Sequence, residues 1–157
     1  MPLRAPVSAL LVALLITACA GVLYPSGAPR PTATPTAGDM SEVQAALALR
    51  GATIHQAVSG DAGCPGSSLH SNAARLAISV TGDDTRYEVF LFRWRRQSDF
   101  DAAAEAFSDC LDAYVAEGAG DLVIETLEVP PWRAYGPAWS DQLRDLVEGA
   151  LHDVGGG

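Results

Sequence analysis

Lysine is absent from this chain of 157 residues, and ten arginines carry its fixed positive charge. Against them stand 12 Asp and 7 Glu, so the formal net charge is −9. That balance argues against the phosphate backbone of nucleic acid as a partner, because such binding runs on an excess of cations. The missing lysines, beside abundant Ala and Gly, read as the mark of a GC-rich genome and not of a function. Signatures of chemistry are missing too. No C-x-x-C is present, which argues against a redox-active dithiol. No H-E-x-x-H occurs, and His55, His70 and His152 include no i, i+4 pair, so no metal site is assigned. No G-x-S-x-G elbow raises a nucleophilic serine. Apart from one early run, no apolar stretch approaches the length needed to span a membrane. Apolar mass is plentiful: 48% of residues are hydrophobic, enough for a core and too much for a wholly disordered chain. The length suits one domain.

Arg4 is the only early charge, and Val7 to Ile16 form an apolar run of ten residues. At about 1.5 Å per residue that run covers roughly 15 Å, half the hydrocarbon thickness, so it predicts a secretory leader and not a spanning helix. Ile16-Thr17-Ala18-Cys19 follows at once: aliphatic, hydroxyl, small, Cys. In all four positions it resembles the lipobox of bacterial lipoproteins, a resemblance confined to the leader and Cys19. It implies a diacylglyceryl group on the Cys19 thiol, cleavage after Ala18 and acylation of the new amino terminus. Ala18-Cys19-Ala20 also has the A-x-A form of an ordinary leader site, with cleavage after Ala20, and an uncleaved leader is the third alternative. Two or three acyl chains anchor a protein stably where one holds it marginally. The implied place is the extracytoplasmic face of the cell membrane, with the membrane as a partner through the anchor.

The chain then divides into a leader (1–18), Cys19 with a Pro-, Thr- and Ala-rich linker (19–38), a globular domain (39–154) and a glycine tail (155–157). Prolines at 25, 29, 31 and 35 break helix and strand in the linker. Nineteen such residues reach about 24 Å as a coil, or near 59 Å in polyproline form. Within the domain, Ser41 is the expected cap of a short helix that ends at Gly51. Thr53 to Val58 reads as strand and 59–68 as loop. Leu76, Ile78 and Val80 alternate with Ala77, Ser79 and Thr81, the clearest strand signal. Gly82 to Thr85 turns the chain into a partner strand, Arg86 to Arg95, whose Val89-Phe90-Leu91-Phe92 centre is apolar on both faces. From Ser98 to Gly118 a helix carries Phe100, Ala103, Phe107, Leu111 and Tyr114 on one face. Leu122 to Val129 is a strand stopped by Pro130-Pro131. A last helix bears Trp139, Leu143, Leu146, Val147, Ala150, Leu151 and Val154, with Pro137 in its first turn. The order α-β-β-β-α-β-α predicts a single α+β domain, a mostly antiparallel four-stranded sheet with helices on one face.

With Cys19 set aside, Cys64 and Cys110 are an even pair in an exported protein and are expected to form a disulfide. Ser67-Ser68-Leu69-His70 beside Asp61 holds the residue types of a hydrolytic triad, the basis of an alternative reading as a small envelope hydrolase. A serine-rich loop is the plainer account. Arg93-Trp94-Arg95-Arg96 is the one dense basic cluster. Guanidinium forks beside an indole suit carboxylate or phosphate, as on an anionic headgroup or a cell-wall polymer. Pairing with Glu88, Asp99 or Asp101 is the plainer account here. Val129 to Trp139 packs two Trp, one Tyr and three Pro into eleven residues. This aromatic loop either presents Trp132 and Tyr135 with Arg93, Arg95 and Arg96 as a ligand surface, or staples a helix to the sheet. No catalytic residue and no cofactor is assigned. The expected function is that of a membrane-anchored binding or accessory module of the bacterial envelope, contacting an envelope protein or cell-wall polymer.

Overall fold

Asp39 sets the start of the domain. Its carboxylate accepts from the Ser41 and Glu42 amides, while the Glu42 carboxylate takes the Asp39 N–H. This capping box opens α1 (Met40–Leu49) ahead of the expected cap at Ser41. The computed structural model describes residues 38–119 and 122–155. The expected leader, the lipobox-like segment with Cys19, the expected linker as far as 37 and the last two glycines of the tail lie outside the described residues. Among the described residues no helix is long and apolar enough to cross a membrane.

A two-residue period builds the sheet. β1 (Ala52–Ser59), β2 (Ala73–Val80) and β3 (Asp83–Arg93) form the expected antiparallel meander. Along β2, buried Leu76, Ile78 and Val80 alternate with part-buried Arg75, Ala77 and Ser79. Val80 pairs with Asp83, so the turn is tighter than the sequence implies and β3 begins inside it. A bulge between Ile54 and Gln56 interrupts the outer strand β1, as is common at sheet edges. Next come α2 (Gln97–Ala102) and α3 (Ala104–Tyr114), parted at Ala103 where the apolar spacing predicts one helix. β4 (Ile124–Val129), β5 (Trp132–Pro137) and α4 (Asp141–Val154) complete the chain, with Ser140 capping α4.

Two expectations are corrected. The sheet has five strands and not four, in the order β1-β2-β3-β5-β4, antiparallel throughout. The added strand is the aromatic Pro-rich stretch itself. Val129 pairs with Trp132, so Pro130 and Pro131, joined by a cis peptide, are the whole of a hairpin turn. Pro137 ends β5 and takes no part in α4. The helices, moreover, cover both faces. Val89, Leu91, Trp132 and Ala134 cluster with Val43 and Leu47 of α1 and Leu143, Val147 and Leu151 of α4. Phe90, Phe92 and Tyr135 point the other way, toward Phe100 of α2 and Phe107 of α3. The Val89–Phe92 run is apolar on both sides because both sides are covered. The class is α+β, and the described residues belong to one unit.

Candidate functional site

The cysteines meet as expected. Cys64 and Cys110 are bonded and buried, their Cα atoms 5.3 Å apart across 46 residues of chain. The bond ties the loop after β1 to α3. Ser67 and Ser68 line a cavity of about 200 Å³ beside it, together with Asp109. The other parts of the hydrolytic reading lie elsewhere. Ser67 Oγ accepts the Leu69 N–H (3.1 Å) and starts a short 3-10 turn over Ser68–Asn72. His70 Nδ1 lies 2.8 Å from the Gly60 carbonyl oxygen. Asp61 accepts from Arg75 Nε (2.8 Å) and from the Gly63 amide (3.0 Å). Among the described residues no hydrogen bond joins Asp61, Ser67, Ser68 and His70. His55 faces Ser79 Oγ at 2.9 Å, and His152 is exposed at the end of α4. No group of three His, Cys, Asp or Glu among the described residues is placed to hold a metal ion.

Trp132 and Tyr135 are both 0% exposed, which removes them from any open ligand surface and gives them the staple role. On opposite faces of β5, each is swallowed by one core. Tyr135 stacks on Phe90 (4.8 Å between centroids) and donates its hydroxyl to the Ala62 carbonyl (2.5 Å). Burial pushes the Tyr135 phenol far above its ordinary pKa, and nearby Tyr114 is raised by burial as well. Between them in sequence, Arg133 is only 3% exposed. Its guanidinium lies 4.0 Å from the Phe100 ring centroid, and Nε reaches Glu128 (2.9 Å) while Nη1 reaches the Phe100 carbonyl (3.1 Å). Sequence reasoning missed this cage, since a lone arginine in what reads as a loop carries no signal of burial.

The basic cluster divides in the same way. Trp94 is buried beside Phe100, whereas Arg95 and Arg96 are exposed. Arg93 pairs across the sheet with Trp132 and places its guanidinium 5.7 Å from that ring centroid. The indole is thus a floor under Arg93 and not a partner surface beside it. Of the acids expected to pair with the cluster, Glu88 bonds Arg75 (2.9 Å) and Asp101 takes the Gln97 amide (2.8 Å). Arg93 and Arg95 line a second cavity of about 200 Å³ with Met40, Ser59, Ser71 and Asn72. Asn72 donates to the Arg93 carbonyl (2.6 Å) and so holds the end of β3 in place. Arg93 also helps depress the Asp39 carboxyl, a shift owed first to the Ser41 hydroxyl. Among the described residues that line it, the groove has cationic and hydroxyl donors and no His, Cys or carboxylate. Chemically it is equipped to hold an anionic oxygen group. No protein-family model matches the chain, and no curated protein or solved structure matches it either.

Proposed function

We propose that this chain is a lipid-anchored, extracytoplasmic binding or accessory module of the bacterial envelope, with the groove of Arg93 and Arg95 as its ligand site. Support for the anchor is the lipobox-like Ile16-Thr17-Ala18-Cys19 behind a ten-residue apolar run. The Cys64–Cys110 disulfide accords with an oxidising compartment outside the cytosol. The binding role is carried by one observation: two guanidinium groups, one of them on exposed Arg95, line one cavity whose described lining residues include no carboxylate, in a chain of net charge −9. Such forks take carboxylate or phosphate oxygens, whether on an envelope protein, a wall polymer or a lipid.

Fatty-acid labelling in the producing bacterium tests the anchor. The expected product begins at Cys19, carries the label and pellets with membranes, and Cys19→Ala abolishes both label and pelleting. A freely dissolved cytosolic chain with its leader intact overturns the proposal.

A further inference from the structure

We propose that the Arg93–Arg95 groove docks on the anionic headgroup layer of the membrane that holds the anchor, so that the domain rests on its tethered end. The inference rests on the reading of Cys19 as lipidated. Three observations point to it. Met40, the first residue of α1, lines the groove, and Gly38 donates its N–H to the Val154 carbonyl (2.7 Å), so the linker enters the domain at the groove's rim. Between Cys19 and Gly38 the sequence has Arg30 and no carboxylate. Arg95, which lines the groove, and its neighbour Arg96 are exposed and form no ion pair among the described residues, and the same holds of Arg86 farther back along β3, whereas Arg50, Arg75, Arg133 and Arg144 each face an acid. Asp39 is the nearby carboxylate, and its Oδ1 is taken up by the Ser41 hydroxyl and the Ser41 and Glu42 amides.

Magnitude separates this partner from one that diffuses freely. An arginine at an anionic leaflet strengthens association about fivefold, so Arg95 and Arg96 together supply about 25-fold. That gives a dissolved protein only weak binding, which sedimentation at millimolar lipid still reads. A linker with a coil reach of about 24 Å, however, holds the domain at a millimolar effective concentration over the leaflet, where weak contacts suffice.

The test uses the mature chain, residues 19–157, carrying Cys19→Ser, so that the groove acts without the anchor. It is sedimented with vesicles of equal parts phosphatidylglycerol and phosphatidylcholine, and with phosphatidylcholine alone. Expected is preferential binding to the anionic vesicles, lowered about 25-fold by Arg95→Glu, which reverses one charge. Arg86→Glu, exposed some seven residues (about 23 Å) back along β3, leaves binding within about twofold. Equal binding to both vesicles overturns the inference, as does an equal loss from Arg86→Glu, which would mean that overall charge is sensed. Capture by isolated cell wall without binding to vesicles overturns it too. Labelling of Cys19 reads the anchor separately: a lipidated chain whose unanchored form ignores phosphatidylglycerol sinks this inference and leaves the anchor standing.

Discussion

Single residues in this domain owe their identity to what lies across from them. Gly136 is buried in β5, and a Cβ there would fall onto the Glu88 carbonyl oxygen and the Trp139 indole nitrogen. Those two groups are hydrogen-bonded to each other at 2.8 Å, so neither is free to retreat. Gly136→Ala is therefore expected to destabilise the fold by about 2–3 kcal/mol, read as a lower urea midpoint. Tyr135 supplies a pH dependence. Burial raises its phenol pKa in the folded state, so the fold favours the neutral form. Its contribution is whole below the unfolded value near 10 and is lost as pH rises toward the higher folded value, by up to about 1.4 kcal/mol per pH unit. Stability measured from pH 8 to 11 should bend downward near its upper end. Tyr135→Phe should give up about 1 kcal/mol at neutral pH, through the lost bond to Ala62, and bend less. An equal bend in the variant would show that other groups are responsible.

Elements differ in how far their own residues account for them. β2 and α4 follow from period alone, since alternating Leu76, Ile78 and Val80 and the recurring Leu143, Leu146, Val147, Ala150 and Leu151 are the residues found buried. β5 does not. Arg133, Gly136 and Pro137 spoil its apolar pattern, and its turn is made of two prolines where Asn-Gly or Gly-rich pairs are the usual hairpin signal. Its strand character comes from sitting between β3 and β4, which complete its ladder on both sides. The loop after β1 is held differently, by the disulfide. Closing 46 residues restricts the unfolded chain by about 4 kcal/mol on chain-entropy grounds. Cys64→Ser with Cys110→Ser should lower stability by an amount of that order. Hydrogen exchange should quicken first over residues 60–72, while β2 and β3 keep their protection. Uniform loss across the sheet would mean that the bond holds more than its loop.

At the scale of the whole molecule, a central sheet is buried from both sides by α1 and α4 on one face and α2 and α3 on the other. Arg50, Arg75, Arg133 and Arg144 each face an acid within it. Arg86, Arg95 and Arg96 are exposed and form no ion pair among the described residues, and Arg95 lines one groove with Met40 at the start of α1, in a chain that is otherwise acidic. If Cys19 is acylated as proposed, the domain should leave its bilayer in two stages. Salt should first release the groove from the headgroups, because exposed charges are screened within about 10 Å at 0.1 M ionic strength. Only detergent should then extract the acylated chain. Extraction of the intact lipidated chain by salt alone would contradict the anchor.

The sequence by itself determined the α+β class, the meander, the pairing of Cys64 with Cys110 and the expectation of a leader and lipid anchor, because each is written in neighbouring residues or in a count. Period, spacing and composition act along the chain, and they need no knowledge of what comes to lie opposite. Tertiary structure alone decided which arginines are spent and which are left, and that Trp132 is a floor and Tyr135 a core residue. It also decided that β5 is a strand and that the sheet is covered twice. Burial and pairing depend on contacts between residues far apart in the chain, and a side chain's surroundings cannot be read from its neighbours in sequence.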